Sequence, residues 1–520
     1  MNRLDTIGRL RQETEPWDLL IVGGGATGIG CAVDAASRGY RTALIEQFDF
    51  GKGTSSRSTK LVHGGVRYLE QGNVTLVMEA LKERGILRDN APHLVSDLAF
   101  VVPNYEWWEA PFYGVGLRLY DLLAGKYGFG ASSNLNKEET LERLPTLKQE
   151  GLRGGVVYFD GQFDDSRLLI HLAMTAVEQG ATLVNYCAAV SLLKNGEGMI
   201  CGAAVRDQDS DAEFEIRARA VINATGCFSD RVRRMAGPEA APMIAPSQGT
   251  HLVFDADFLR GQSAIMVPHT TDGRVLFAIP WHGHALVGTT DTAIEEVSPE
   301  PVPLEQEIDF ILDTAGQYLA RPPRRSDILS AWAGIRPLVK SGSGGSTASL
   351  SRDHSIHIDP NGLITIAGGK WTTYRRMAED CVNQAAILAG LEERDCVTRR
   401  LRIHGYHHHT RSLGHLGVYG ADAIAIQDMI RNHPERGARL HPALPYLEAE
   451  VIWAARWEMA RTVEDVLARR TRALLLNARA AIEAAPRVAE LLASDFGCGA
   501  DWRDAQVAEF RALAEAYLPK

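Results

Sequence analysis

Three glycine turns that follow short apolar runs are suited to holding a phosphate-bearing cofactor. The first, Gly23-Gly-Gly25-Ala-Thr-Gly28, lies between the apolar run at 18–22 and a segment, 29–38, with helical spacing. Gly23 permits the tight turn, Gly25 lets the backbone approach a pyrophosphate, and Gly28 lets helix and strand pack closely, with the phosphate at the helix N-terminus. The next apolar run ends in Glu46, 18 residues after Gly28, where a carboxylate can bind ribose hydroxyls. Later turns end at Gly226 and at Gly368-Gly369, the last followed by a helical pattern over 372–389 that Gly390 can end. A first turn near residue 20 with two distant companions favours FAD over NAD, because an isoalloxazine needs contacts far from the dinucleotide turn.

The small polar loop at 53–59 can surround a pyrophosphate with backbone N–H groups and the hydroxyls of Thr54, Ser55 and Ser56. Gly368-Gly369 offers a helix N-terminus to the flavin pyrimidine, where charge develops on reduction, with Lys370, Thr372 and Thr373 at the helix start. His63 is a neighbour of the flavin loop or a packed side chain. His407-His-His409 lacks carboxylate or cysteine partners at ligand spacing, so no metal is expected. Trp107, Trp108, Phe112 and Tyr113, with Arg118 and Lys126, read equally as a membrane-interface segment or as core.

The elements that must position these groups exceed one core: 520 residues pass the roughly 250–300 at which single cores stop growing. The expected class is α/β, a discontinuous Rossmann-like FAD-binding domain with an inserted antiparallel-sheet substrate domain and a helical C-terminal domain. FAD-binding segments are expected at 16–95, 150–235 and 330–395, the substrate domain at 96–149 and 236–329, and the helical domain at 396–520, with helices over 447–467 and 471–485. A net charge of −10 argues against nucleic-acid binding. Seven cysteines without a C-x-x-C pair fit a reducing compartment. The polar first 16 residues do not read as a secretory signal, and no uncharged apolar run reaches the roughly 18 residues of a spanning helix.

Several segments together resemble the FAD-dependent glycerol-3-phosphate dehydrogenases of the aerobic, bacterial, membrane-associated type. They are GTSSRSTK at 53–60 running into LVHGGVRYL at 61–69, GIRPL at 334–338, SRDH at 351–354, AGGKWTTYR at 367–375 and TVEDVLARR at 462–470. The resemblance implies oxidation of sn-glycerol 3-phosphate to dihydroxyacetone phosphate by hydride transfer to flavin N5, with ubiquinone or menaquinone as acceptor. It also implies a peripheral place on the inner face of the bacterial cytoplasmic membrane, and a homodimer is expected. A phosphate dianion calls for arginine forks, and the matched motifs offer Arg336 and Arg352, with Arg57 as a third candidate. His251 is the expected base and Lys370 the group that stabilises the developing alkoxide, so the expected catalytic set is His251, Arg336 and Lys370. Two other enzyme readings stay open: a glycerol-3-phosphate oxidase using dioxygen, and an amine or amino-acid oxidase of the same superfamily, against which the arginine motifs count. A flavin-bearing protein without turnover is a third. A tail with Cys498 alone separates the chain from the anaerobic, cysteine-rich relatives.

Overall fold

A computed structural model describes residues 1–519 apart from Gln71, His269, 271–274 and 341–352. Its first sheet has the strand order His354–Ile358, Ile364–Gly368, Glu213–Asn223, Trp17–Val22, Thr42–Ile45 and Thr182–Val184. The last five of these run parallel, and His354–Ile358 is antiparallel at the edge. Parallel sheets need cover on both faces. Leu19 and Ile21 of the central strand accordingly enter one cluster, with the helices Ala26–Ser37, Asp165–Glu178 and Tyr374–Leu388, while Leu20 and Val22 enter another on the opposite face. The strand–turn–helix reading around residues 18–38 and the helix over 372–389 thus correspond to observed elements.

The second sheet runs Thr292–Ala293, Ile244–Asp255, His284–Gly288, Leu276–Trp281, Ser263–Val267, Val95–Asn104, Gly154–Phe163 and Leu61–Val62. Ser330–Val339 pairs antiparallel with Ile244–Asp255, and Ser133–Asn136 with Gly154–Phe163. Most neighbours are antiparallel, as the alternation over 251–291 predicts, with Ser263–Val267 parallel to Val95–Asn104. Three strands that fall in the expected FAD-binding segments, Leu61–Val62, Gly154–Phe163 and Ser330–Val339, hydrogen-bond into this second sheet. Alternation in a strand specifies which faces are buried, not which sheet supplies the partner. The register matters for the site, because it sets His251 opposite Trp332 and Ser247 opposite Arg336.

The C-terminal region is helical, with breaks that its Ala/Leu composition hides. The helix Glu448–Trp457 ends before Met459, which adopts φ 55°, so the expected helix over 447–467 is interrupted. Beyond a wide turn at Asp465–Arg470, Asn477 accepts from the Ala480 N–H and starts Ala478–Phe496, dividing the segment expected as one helix over 471–485. Buried ion pairs tie this region to the cofactor sheet: Arg167 to Glu458 at 2.6 Å, and both Arg469 and Arg470 to Asp49 at 2.6 and 2.8 Å.

Candidate active site

The larger of two adjoining cavities, about 640 Å³, runs from Glu46 past the first glycine turn to Gly368, Gly369 and Lys370. Gly23 has φ +115° and its missing Cβ would meet the Ala224 carbonyl oxygen at 2.7 Å, while a Cβ on Gly28 would collide with the Gly23 carbonyl oxygen. Only glycine closes this turn. The Ser55 Oγ accepts from the Ala26 N–H at 2.9 Å, joining the polar loop to the helix N-terminus, whose first amides have no intrahelical partner. Glu46 accepts from the Gly24 and Phe48 N–H groups at 2.6 and 2.8 Å, and burial raises its carboxyl pKa above the ordinary value. At the far end Gly368 and Gly369 have φ +77° and +71°, and Lys370 precedes the helical turn Trp371–Thr373. A carboxylate at one end, amides and hydroxyls in the middle and a helix start at the other make a donor set that fits FAD along its length.

The smaller cavity, about 320 Å³, shares Thr54, Pro337, Gly368, Gly369, Lys370 and Trp371 with the larger one. His251, Arg336, Lys370, Arg57, Thr59 and His63 all line it. Arg336 is held by the segment between His284–Gly288 and Thr292–Ala293: Nη2 donates to the Thr290 carbonyl at 2.9 Å and to Thr289 Oγ1 at 3.2 Å, and Nη1 lies 3.4 Å from Asp291. His251 is buried, stacks on Trp332 at 4.3 Å and 19°, and its Nε2 lies 3.0 Å from Thr59 Oγ1. Burial first, then the positive charge of Lys60 and Arg336, holds its pKa well below the ordinary histidine value, so the ring is neutral near pH 7. The Lys370 ammonium stands 3.9 Å from the centre of the Tyr68 ring.

Expected site residues that the structure brings to these cavities are Gly23, Gly25, Glu46, Thr54, Ser55, Gly226, Gly368 and Gly369 in the larger, and His251, Arg336, Lys370 and Thr372 in the smaller. Gly28 lies behind the turn as a packing residue. One expectation changes. Ser56 is buried and lines neither cavity; its carbonyl instead accepts from Lys60 Nζ at 2.7 Å. Arg57 reaches the smaller cavity, and its guanidinium also donates to Glu300 at 2.6 Å and to the Ala333 carbonyl at 3.2 Å. Arg352 lies outside the described residues. No local pattern marks Asp165, which accepts from Lys60 Nζ at 2.7 Å and from Ser58 Oγ at 2.7 Å and so shapes the loop from more than 100 residues away. Glu307 was equally hidden: it accepts from Thr250, Thr290 and Thr292 and braces the strands behind Arg336.

Residues 18–375 match the FAD dependent oxidoreductase family, and residues 364–506 match the C-terminal domain of alpha-glycerophosphate oxidase. A mitochondrial glycerol-3-phosphate dehydrogenase of Macaca fascicularis is 42% identical over 98% of this chain and 74% of its own length. This chain belongs to the FAD-dependent glycerol-3-phosphate dehydrogenase family. A mitochondrial glycerol-3-phosphate dehydrogenase of Arabidopsis thaliana is likewise 42% identical, over 93% of this chain and 83% of its own. A crystal structure of glycerol-3-phosphate dehydrogenase from Bacillus halodurans complexed with FAD superimposes with a TM-score of 0.80 at 29% identity, covering 99% of this chain and 97% of that one. FAD is the cofactor of this dehydrogenase family, and the donor set lining the larger cavity fits it.

Proposed function

We propose that the chain oxidises sn-glycerol 3-phosphate to dihydroxyacetone phosphate and delivers the electrons to a quinone at a membrane surface. The observation that carries the reading is the shared wall of the two cavities: Arg336 and His251 line a small chamber that meets the larger cavity at Gly368 to Trp371. Bound FAD supplies the hydride acceptor for C2 and the store from which electrons leave. The residues do the rest. Arg336, its fork already fixed by Thr289, Thr290 and Asp291, binds the phosphate with little further loss of side-chain freedom. The neutral His251 takes the C2 hydroxyl proton at Nε2, the nitrogen now facing Thr59, and the dianionic substrate offsets the Lys60 and Arg336 charges that hold its basicity down. Lys370 stabilises the oxygen as it gains charge.

Membrane contact is supported by the helix Glu109–Ala124. Tyr113, Leu117, Tyr120 and Ala124 are buried, whereas Trp108, Phe112, Val115, Leu119 and Leu122 recur at helical spacing on the open face. Trp107, Val115 and Leu122 are 74%, 71% and 76% exposed, and Arg118 and Lys126 flank them. An apolar stripe edged by cations suits an interfacial helix on an anionic leaflet, here the inner face of a bacterial cytoplasmic membrane. Among the described residues no helix is long and apolar enough to cross. The likeness of residues 364–506 to the C-terminal domain of alpha-glycerophosphate oxidase makes dioxygen the competing acceptor. Substrate-reduced protein mixed with a soluble quinone or with aerated buffer decides: the proposal expects quinone to restore the flavin absorbance much faster, and faster recovery in air would replace the quinone by dioxygen.

A further inference from the structure

Loop 52–57 stands between the two cavities. Lys52, Gly53, Thr54 and Ser55 line the larger and Thr54 and Arg57 the smaller. Its middle is tied to both walls: the Thr54 hydroxyl donates to the Ile335 carbonyl at 2.6 Å, and the Ser55 carbonyl accepts from Trp371 Nε1 at 2.8 Å. Its ends are cations, and both reach one carboxylate, although Lys52 Nζ is also shared with Glu464 at 2.5 Å. Glu300 Oε1 accepts from Arg57 Nη2 at 2.6 Å, and Oε2 lies 2.9 Å from Lys52 Nζ. The same Oε1 accepts from the phenol of Tyr517 at 2.5 Å, and the Arg57 guanidinium lies 6.0 Å from the centre of that ring. Glu300 sits in the segment before the helix Glu305–Tyr318, whereas Tyr517 ends the final helical turn, 217 residues later. Three distant parts of the chain therefore meet at one charge.

We propose that Glu300 is a positioning residue for the cofactor loop: its carboxylate fixes both ends of 52–57, and Tyr517 locks that carboxylate to the C-terminal tail, so that tail docking sets FAD retention. Burial works against ionisation of Glu300, yet Arg57 and Lys52 hold its carboxyl down at about 2, so the latch stays charged at working pH. A carboxylate fixing two cations on either side of Thr54 and Ser55 sets where these donors stand, and small displacements of such a shell weaken what it binds. An ion pair that merely joined domains would not need both ends of this loop.

The test uses the purified holoenzyme and the variants Glu300→Gln, Glu300→Asp, Tyr517→Phe and the Gln/Phe double. FAD release on dilution is followed by flavin fluorescence, with visible circular dichroism of the bound flavin and thermal unfolding recorded beside it. Glu300→Gln is expected to release FAD about tenfold faster, the scale of one lost charge-assisted hydrogen bond, with Glu300→Asp between it and the native protein. Tyr517→Phe is expected to speed release by about threefold, and the double variant to match Glu300→Gln, because the phenol acts through that carboxylate. A fall in thermal stability with native release rates and native flavin dichroism would overturn the proposal, as would additive effects in the double variant. Should Glu300→Gln fail to fold, Tyr517→Phe decides alone: native FAD release in that variant refutes the latch.

Discussion

Replacing Arg336 by glutamine removes the one charged fork that the described residues aim at the smaller cavity from the strand Ser330–Val339. Its guanidinium is preorganised by bonds of 2.9 Å to the Thr290 carbonyl and 3.2 Å to Thr289, so a bound phosphate gains the full strength of charged hydrogen bonds. At about 1.5–3 kcal/mol for such a bond, Arg336→Gln should lower kcat/KM for sn-glycerol 3-phosphate by about 10- to 150-fold. Arg336→Lys keeps the charge and loses the fork, and should fall in the lower part of that range. The phosphate lies away from the reacting carbon, so most of the loss should enter KM. Glycerol, which lacks the phosphate, should be turned over equally by native and variant protein, collapsing the preference between the two substrates. The assay is steady-state oxidation normalised to bound flavin, whose spectrum should not change. An Arg336→Gln protein with full FAD and native kcat/KM would refute the phosphate clamp.

Lys60 is fully buried against Asp165, between Trp281 and Trp332, so Lys60→Met should cost about 3–5 kcal/mol by stranding a carboxylate, read as an earlier denaturant transition and lost flavin; native stability would remove Lys60 from the loop scaffold. His93 is held by burial, then by the Arg167 charge, at about 3, so it stays neutral when folded but takes up a proton when unfolded near pH 6.5. Its contribution is present above that value and drains as pH falls, so His93→Gln should flatten the pH dependence of stability between about pH 6.5 and 5 by about 1.4 kcal/mol per unit; identical slopes would contradict the reading. Serine at Trp107, Val115 and Leu122 should abolish co-sedimentation with anionic vesicles while leaving substrate bleaching of the flavin intact, and retained vesicle binding would move the membrane contact elsewhere. Gly28→Ala should yield protein without FAD, because the methyl collides with the Gly23 carbonyl; normal flavin content would show that the turn can yield.

The cofactor half of the site was legible because glycine at 23, 25 and 28, Glu46 on schedule and the paired glycines at 368 and 369 are local signals. His251 and Arg336 became legible through motif resemblance, and the register of two paired strands sets both on one sheet. What stayed hidden is long-range. Glu300, Asp165 and Glu307 each act on residues far along the chain, and a carboxylate in a loop or at a helix start has no local pattern that distinguishes a brace from a solvated charge. Arg57 shows the converse: its motif suggested a ligand-binding cation, and only the fold reveals that Glu300 already holds it. The strands Gly154–Phe163 and Ser330–Val339 lie in ranges expected for the FAD-binding segments and join the other sheet, since partner choice is a tertiary property.

The central claim is tested most directly by anaerobic titration of the purified, flavin-bearing protein with sn-glycerol 3-phosphate. Stoichiometric bleaching of the flavin absorbance by this compound, with none by its sn-1 enantiomer at equal concentration and dihydroxyacetone phosphate as the product, is the expected result. Bound FAD that stays oxidised in the presence of the substrate would contradict the assignment of the smaller cavity, and with it the reaction.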